Sequence, residues 1–157
     1  MSPPWRRALL GLGSNVGDRD AHLRRALDLL QSRGAVRVLA VSPCRTTAPV
    51  GGPPQDDFRN AAALVLTPLG PRALLAAVKA VEREMGREPG GVRWGPRVVD
   101  VDVLLFADEV VDEPDLRVPH PRMTERRFVL EPAADVAPDM RHPVAGRTVR
   151  ELLEDLS

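Results

Sequence analysis

Tyrosine is missing from this sequence, phenylalanine occurs three times, tryptophan twice, and cysteine and lysine once each. The lone Cys44 excludes an internal disulfide. With only His22, His120 and His142 scattered along the chain, it also leaves no zinc site of the usual Cys/His kind, and it reads as a packing residue. No apolar run approaches the ~18 residues of a membrane span. The opening residues carry Trp5, Arg6 and Arg7 but no apolar stretch ending in a small-residue cleavage site. A soluble protein with a cytoplasmic address is therefore expected. The formal charge sums to zero, and the basic surplus and exposed aromatics of a nucleic-acid surface are both wanting, so no nucleic-acid or membrane partner is expected.

What is present is arginine. Lysine and arginine together number 22, and only Lys79 is lysine. The planar guanidinium suits bidentate phosphate contacts, but a composition-wide preference explains the count, so only particular arginines can be argued for. At 157 residues with 43% hydrophobic content, the chain is the size of one domain with a real core, and residues 1–157 are expected to form a single monomeric unit.

Residues 8–13 form a short apolar run ending in Gly13-Ser14-Asn15, which reads as a strand entering a turn. Ala21, Leu23, Ala26, Leu27, Leu29 and Leu30 recur at helical spacing over 18–33, with Gly34 as the stop. A second strand is expected at 36–41, ended by Pro43, and a third at 58–67, where three consecutive alanines weaken the reading. Pro71 opens a second helix that runs to Gly86. Residues 98–106 are the most strand-like segment, 110–118 a short hairpin or extended arm. Phe128-Val129-Leu130 and a helix through Val136 follow, then a short helix at 148–156. Residues 46–57 and 86–97 are too rich in Gly and Pro to be regular and read as loops closing over a ligand. This mixture predicts an α+β fold of the ferredoxin-like kind, an antiparallel sheet covered by helices.

The sharpest anomaly is Val98-Val99-Asp100-Val101-Asp102-Val103-Leu104, where two carboxylates interrupt a strand otherwise fit for burial. Alternation puts Asp100 and Asp102 on one face, roughly 7 Å apart. Like charges so placed need a compensating cation or donor. Magnesium, which keeps waters and takes one or two carboxylates plus substrate phosphates, is the economical choice. A solvent-facing strand paired with Arg97 would explain an isolated Asp-x-Asp equally well. Arg87, Arg93 and Arg97 in the preceding loop tilt the reading toward phosphate chemistry.

The stretch Arg93-Trp94-Gly95-Pro96-Arg97-Val98-Val99-Asp100-Val101-Asp102-Val103-Leu104 resembles the signature of the 6-hydroxymethyl-7,8-dihydropterin pyrophosphokinases of folate biosynthesis. Further matches follow in order: Gly13-Ser14-Asn15, Pro49-Val50-Gly51, Gln55, Phe58, Asn60, Gly86-Arg87, Pro119-His120-Pro121 and Arg126-Arg127-Phe128-Val129-Leu130. The resemblance implies a ferredoxin-like fold and an ATP-dependent transferase that passes a diphosphate to the hydroxymethyl group of the pterin and releases AMP. It implies two magnesium ions held by Asp100 and Asp102, with Arg87 and Arg97 neutralising the transferred group. Glu82, Arg93, Trp94, His120 and Arg126 would line the ATP site alongside Arg87 and Arg97. Gly13, Thr47, Pro49, Val50 and Asn60 would bind the pterin, with Phe58 and Phe128 stacking on its ring. Arg45, Ala48, Pro89, Asp115 and Arg117 depart from the family pattern. The competing reading, from the residues alone, is a non-catalytic ferredoxin-like module that senses a metal or a nucleotide.

Overall fold

The computed structural model describes residues 4–48, 55, 57–86 and 98–156. In chain order the elements are β1 (Arg6–Ser14), α1 (Arg19–Ser32), β2 (Arg37–Val41), β3 (Arg45–Thr47), β4 (Phe58–Thr67), α2 (Pro71–Glu84) and β5 (Asp100–Phe106). A hairpin of β6 (Val111–Glu113) and β7 (Leu116–Val118) follows, then a 3₁₀ turn at Met123–Glu125 and α3 (Arg127–Val136). The two-residue strands β8 (Arg141–His142) and β9 (Arg147–Thr148) precede α4 (Val149–Asp155).

Each main element starts or stops for a local reason. Asp18 accepts the Ala21 N–H at 3.2 Å to cap α1, and Gly34, at φ +71, reverses the chain after it. Pro71 occupies the first turn of α2, where no backbone donor is needed. Thr148 and Glu151 form a reciprocal capping box on α4.

The main sheet runs β2-β4-β1-β5, with β3 added to β4, and every pairing is antiparallel. A β-α-β-β-α-β unit in that strand order is the ferredoxin-like arrangement, as expected. On one face, Ala8, Leu10, Leu12, Ala61, Ala63, Val65, Val101 and Val103 pack under Leu23, Ala26, Leu27 and Leu30 of α1 and Leu74, Val78 and Val81 of α2. On the other, Leu9, Ala62, Leu104 and Leu105 meet Leu130 and Ala133 of α3 and Val149 and Leu152 of α4. The three alanines that weakened the strand reading are all buried. Sandwiched between two helical layers, small side chains let both layers approach, and packing overrides propensity.

The register of β5 against β1 shifts between Leu9 and Leu10, leaving Leu104 as an extra residue. Leu104 and Leu105 therefore both enter the second core, while Asp100 and Asp102, ahead of the bulge, keep strict alternation. Three features depart from expectation. Strand β3 forms where only loop was expected. Phe128 to Leu130 lie inside the first turn of α3. The β8–β9 ladder is added before α4. Among the described residues, no helix is long and apolar enough to cross a membrane.

Candidate active site

Among the described residues, the second face of the sheet is roofed by α3 and α4 at one end only. At the other end the register gathers chemistry. Gly13 lies opposite Asn60 on β4 and opposite Asp100 on β5, and Gly11 lies opposite Asp102. Cross-strand partners share a face, so both aspartates and Asn60 look into the same space, above two positions of β1 that have no side chain. A side chain would be tight there: a Cβ at Gly13 would sit 3.1 Å from Asn60 Oδ1, and one at Gly11 would sit 3.3 Å from Leu104 Cδ1, the end of a side chain that can shift. The result is a cleft of about 600 Å³, lined by Thr47, Phe58, Asn60, Lys79, Glu82, Asp100, Asp102, His120, Arg122, Arg126 and Phe128, among others.

At the β3–β4 side, Asn60 Nδ2 donates to Thr47 Oγ1 at 2.6 Å, leaving the Asn60 carbonyl directed at the space over Gly13. Phe58 and Phe128 both line this part, and Phe128 is 37% exposed. A large aromatic left partly open beside a polar carboxamide offers one face to a flat ring. The Arg126 guanidinium carbon lies 5.6 Å from the Phe128 ring centroid, which joins this end to the cationic end.

At the other side, Glu82 is 2% exposed, and its Oε2 accepts the Val101 N–H at 2.9 Å. That amide is on the outer edge of β5, where no strand pairs among the described residues. Lys79, one helical turn earlier, approaches Glu82 Oε1 at 3.9 Å. His120 is anchored by its own N–H donating to Leu104 O at 2.9 Å, and its Nδ1 faces the Arg122 N–H at 3.3 Å. With Nδ1 an acceptor, the neutral ring carries its proton on Nε2. Burial holds the His120 pKa below the ordinary histidine value; Asp102 pulls it up, while Arg126 and Arg122 add to the depression. The ring is thus kept neutral near pH 7.

Of the residues expected at the site, Gly13, Thr47, Phe58, Asn60, Glu82, Asp100, Asp102, His120, Arg126 and Phe128 all line this one cleft. Pro49, Val50, Arg87, Arg93, Trp94 and Arg97 lie outside the described residues, as do the two stretches expected to close over a ligand at Gly51 and Pro89. Lys79 and Arg122 line the cleft too and were not anticipated. The signal for Lys79 was available, since it stands three residues before Glu82 on the same helix face. Two departures from the family pattern find partners elsewhere. Arg72 of α2 binds Asp115 at 2.9 Å and also contacts Glu113, and Arg117 approaches Asp112 at 3.5 Å.

The two carboxylates suit magnesium. They project from alternate positions of one strand into an open cleft, and among the described residues no cluster of three or more His, Cys, Asp or Glu side chains could make a complete protein cage. An ion that takes one or two carboxylates and completes its shell with water and phosphate fits such a site.

A family model described as 7,8-dihydro-6-hydroxymethylpterin-pyrophosphokinase matches residues 9–138. The chain is 44% identical to the 2-amino-4-hydroxy-6-hydroxymethyldihydropteridine pyrophosphokinase of Pseudomonas aeruginosa, over 94% of this chain and 90% of that protein. It is 47% identical to the enzyme of the same name from Bacillus subtilis, over 82% of this chain and 77% of that protein. Among solved structures, a Plasmodium falciparum HPPK-DHPS triple mutant superimposes with a TM-score of 0.75 at 18% identity. The match covers 98% of this chain but spans only 44% of that longer one, and it supports the fold.

Proposed function

The chain belongs to the 7,8-dihydro-6-hydroxymethylpterin pyrophosphokinases, ATP-dependent transferases of folate biosynthesis, and from that premise we propose which of its residues carry the reaction. The observation that supports the assignment is the register placing Asp100 and Asp102 over Gly13 and Gly11 on the face shared with Asn60.

In this reading Asp100 and Asp102 hold two magnesium ions. Magnesium, when bound, supplies positive charge to the phosphate oxygens of ATP and fixes their geometry. The protein's own groups do the rest. Phe58 and Phe128 stack on the pterin, and Asn60, oriented by Thr47, reads its heteroatom edge. Pro49 and Val50 border the ring by resemblance to the family motif. His120 donates Nε2–H to a phosphate oxygen, and Arg126 adds a cation between the stacked ring and the phosphates. Arg93 and Trp94 bind the nucleotide, and Arg87 and Arg97 neutralise the departing and transferred phosphates, again by resemblance. The hydroxymethyl oxygen attacks the β-phosphorus in line, its proton passes to solvent, and the bond from the β-phosphorus to the bridging oxygen of AMP breaks. No protein nucleophile is needed. The catalysis is positioning and electrostatic stabilisation.

Glu82 works behind this site by holding the edge of β5, the strand that carries both aspartates. We also read residues 1–157 as one catalytic domain, acting as a cytoplasmic monomer on two small molecules. The sensing-module alternative has no observation in its favour.

The test is AMP release from ATP and the reduced hydroxymethyl-pterin, with circular dichroism as the fold control. Asp100→Asn and Asp102→Asn should each lower kcat by at least about a hundredfold, the scale of losing a transition-state electrostatic contact, with unchanged spectra. A folded double variant that keeps the parental rate would remove both residues from the mechanism.

A further inference from the structure

Arg45 projects from the site-facing side of β3, yet it points at another wall of the cleft rather than into it. It pairs in register with Asn60, so its side chain shares the face that bears Asn60 and Thr47. From there it reaches α3, with Nη1 at 2.6 Å from Asp135 Oδ2 and Nε at 3.9 Å from Glu131 Oε2. Glu131 and Asp135 are four residues apart and stand on one stripe of α3. Phe128, three residues before Glu131, continues that stripe into the cleft. One guanidinium therefore spans from the strand that carries Thr47 to the helix that carries Phe128.

The two walls also meet through β4, which pairs with β3 and packs under α3; Arg45 adds a direct side-chain link from β3 to α3. Strand β3 has three residues and, among the described residues, pairs only with β4. Helix α3 starts at Arg127, and the preceding Arg126 gives it no side-chain cap. On the opposite face, Arg59 binds Asp20 of α1 at 2.9 and 3.1 Å and Thr46 Oγ1 at 3.0 Å. The strand is thus held from behind to α1 and in front, through Arg45, to α3.

We propose that Arg45 is a positioning residue that sets the width of the aromatic slot, holding Phe128 at stacking distance from the Thr47–Asn60 wall by its ion pair with Asp135 and Glu131. The proposal rests on the reading of that slot as the pterin site. A slot held at one width before the ring arrives binds it without the cost of ordering two walls. Loss of the bridge should therefore weaken the flat substrate and leave the nucleotide, bound at the other end of the cleft, alone.

Steady-state AMP release is measured with pterin varied at saturating ATP, and with ATP varied at saturating pterin. Arg45→Met and Asp135→Asn should each raise the pterin KM about fivefold, the upper end for a pair one-third exposed, with the ATP KM unchanged. The double variant should be no worse than the weaker-binding single, because both remove the same link. Arg45→Lys should recover part of the loss. Arg147→Met breaks a comparably exposed pair with Asp155 at 2.8 Å near the C-terminus and should change neither KM. An unchanged pterin KM in Arg45→Met, an equal rise in both KM values, or a double variant whose loss is the product of the singles would each overturn the proposal. Should Arg45→Met fail to fold, Arg45→Lys and Asp135→Asn carry the same comparison. Phe128→Ala separates the premise from the proposal. If it leaves the pterin KM untouched, the slot is not the pterin site. If it raises that KM while Arg45→Met does not, the slot stands and Arg45 has no part in it.

Discussion

A single methyl group at Gly13 should separate substrate recognition from stability. In Gly13→Ala the new Cβ would lie 3.1 Å from Asn60 Oδ1, 3.8 Å from Phe58 Cδ1 and 3.9 Å from the Arg59 carbonyl. The last two are ordinary contacts; the first is not, and Asn60 must give by a few tenths of an ångström. It has little room, because its Nδ2 is already 2.6 Å from Thr47 Oγ1. The carboxamide therefore rotates out of register with the ring edge we propose it reads, at a cost of about 1 kcal/mol for one net hydrogen bond. Some loss of ring contact beside Phe58 adds to this, giving a pterin KM about tenfold higher, since 1.4 kcal/mol is a factor of ten. Stability moves the other way, because alanine is favoured over glycine inside a strand by roughly 0.5–1 kcal/mol. The Tm should therefore stay within a few degrees of the parent. Gly11→Ala is the matched comparison. Its Cβ meets Leu104 Cδ1 at 3.3 Å, the end of a side chain that can shift, so the pterin KM should rise less than threefold. AMP release with pterin varied, alongside thermal unfolding, decides the matter. A Gly13→Ala enzyme with parental pterin KM, or one whose loss merely tracks a falling Tm, would refute the steric argument.

Glu82→Ala leaves the buried Val101 N–H without its acceptor and should cost about 2 kcal/mol, a Tm drop of roughly 4 to 8 °C for a chain this size. Glu82→Gln keeps an acceptor and should lose much less, and equal losses in the two would dismiss the role in holding β5. Magnesium removal by a chelator should abolish AMP release and restoring the ion should recover it, with the folded state unchanged by circular dichroism throughout. A pH series tests His142, whose Nδ1 accepts the Val144 and Ala145 N–H groups at 3.3 and 3.0 Å and whose pKa is lowered by burial. The unfolded chain binds a proton near pH ~6.5 more readily than the folded one. The contribution of this residue is thus fully present above that pH and is lost as the pH falls below it. His142→Asn, which keeps an acceptor that cannot titrate there, should flatten the fall in Tm between neutral pH and pH 5; an identical slope would exclude the residue.

The parts of this molecule that were readable in the sequence are those with a period or an interruption of one. Helices α1 and α2 announced themselves by apolar spacing and by Gly34 and Pro71 at their ends, and the two aspartates stood out because charge broke a buried strand. Strand β3 was hidden because three residues, Arg45–Thr47, cannot display an alternation, and Pro43 beside them argued for a bend. Phe128-Val129-Leu130 fits a strand or a first helical turn equally well until Leu130 is seen to bury against Leu105 and Met123 in the second core. Glu82 was legible only as a site-lining residue, through the family resemblance; that its carboxylate serves a strand nineteen positions away is shown by the packing of α2 beside β5. Arg45 was visible as an oddity against the family pattern, but its purpose depends on α3, an element distant in the chain.

The outer margin of β5 has one further implication. An unpaired strand margin invites a second chain to add itself there. Among the described residues, Glu82 takes the Val101 donor and the His120 amide takes the Leu104 acceptor, so two residues lining the cleft also deny that margin to a neighbouring molecule. Substitution of Glu82, whose carboxylate rather than its backbone covers the edge, would then uncover a sticky seam, and self-association of such a variant would share its origin with any lost activity.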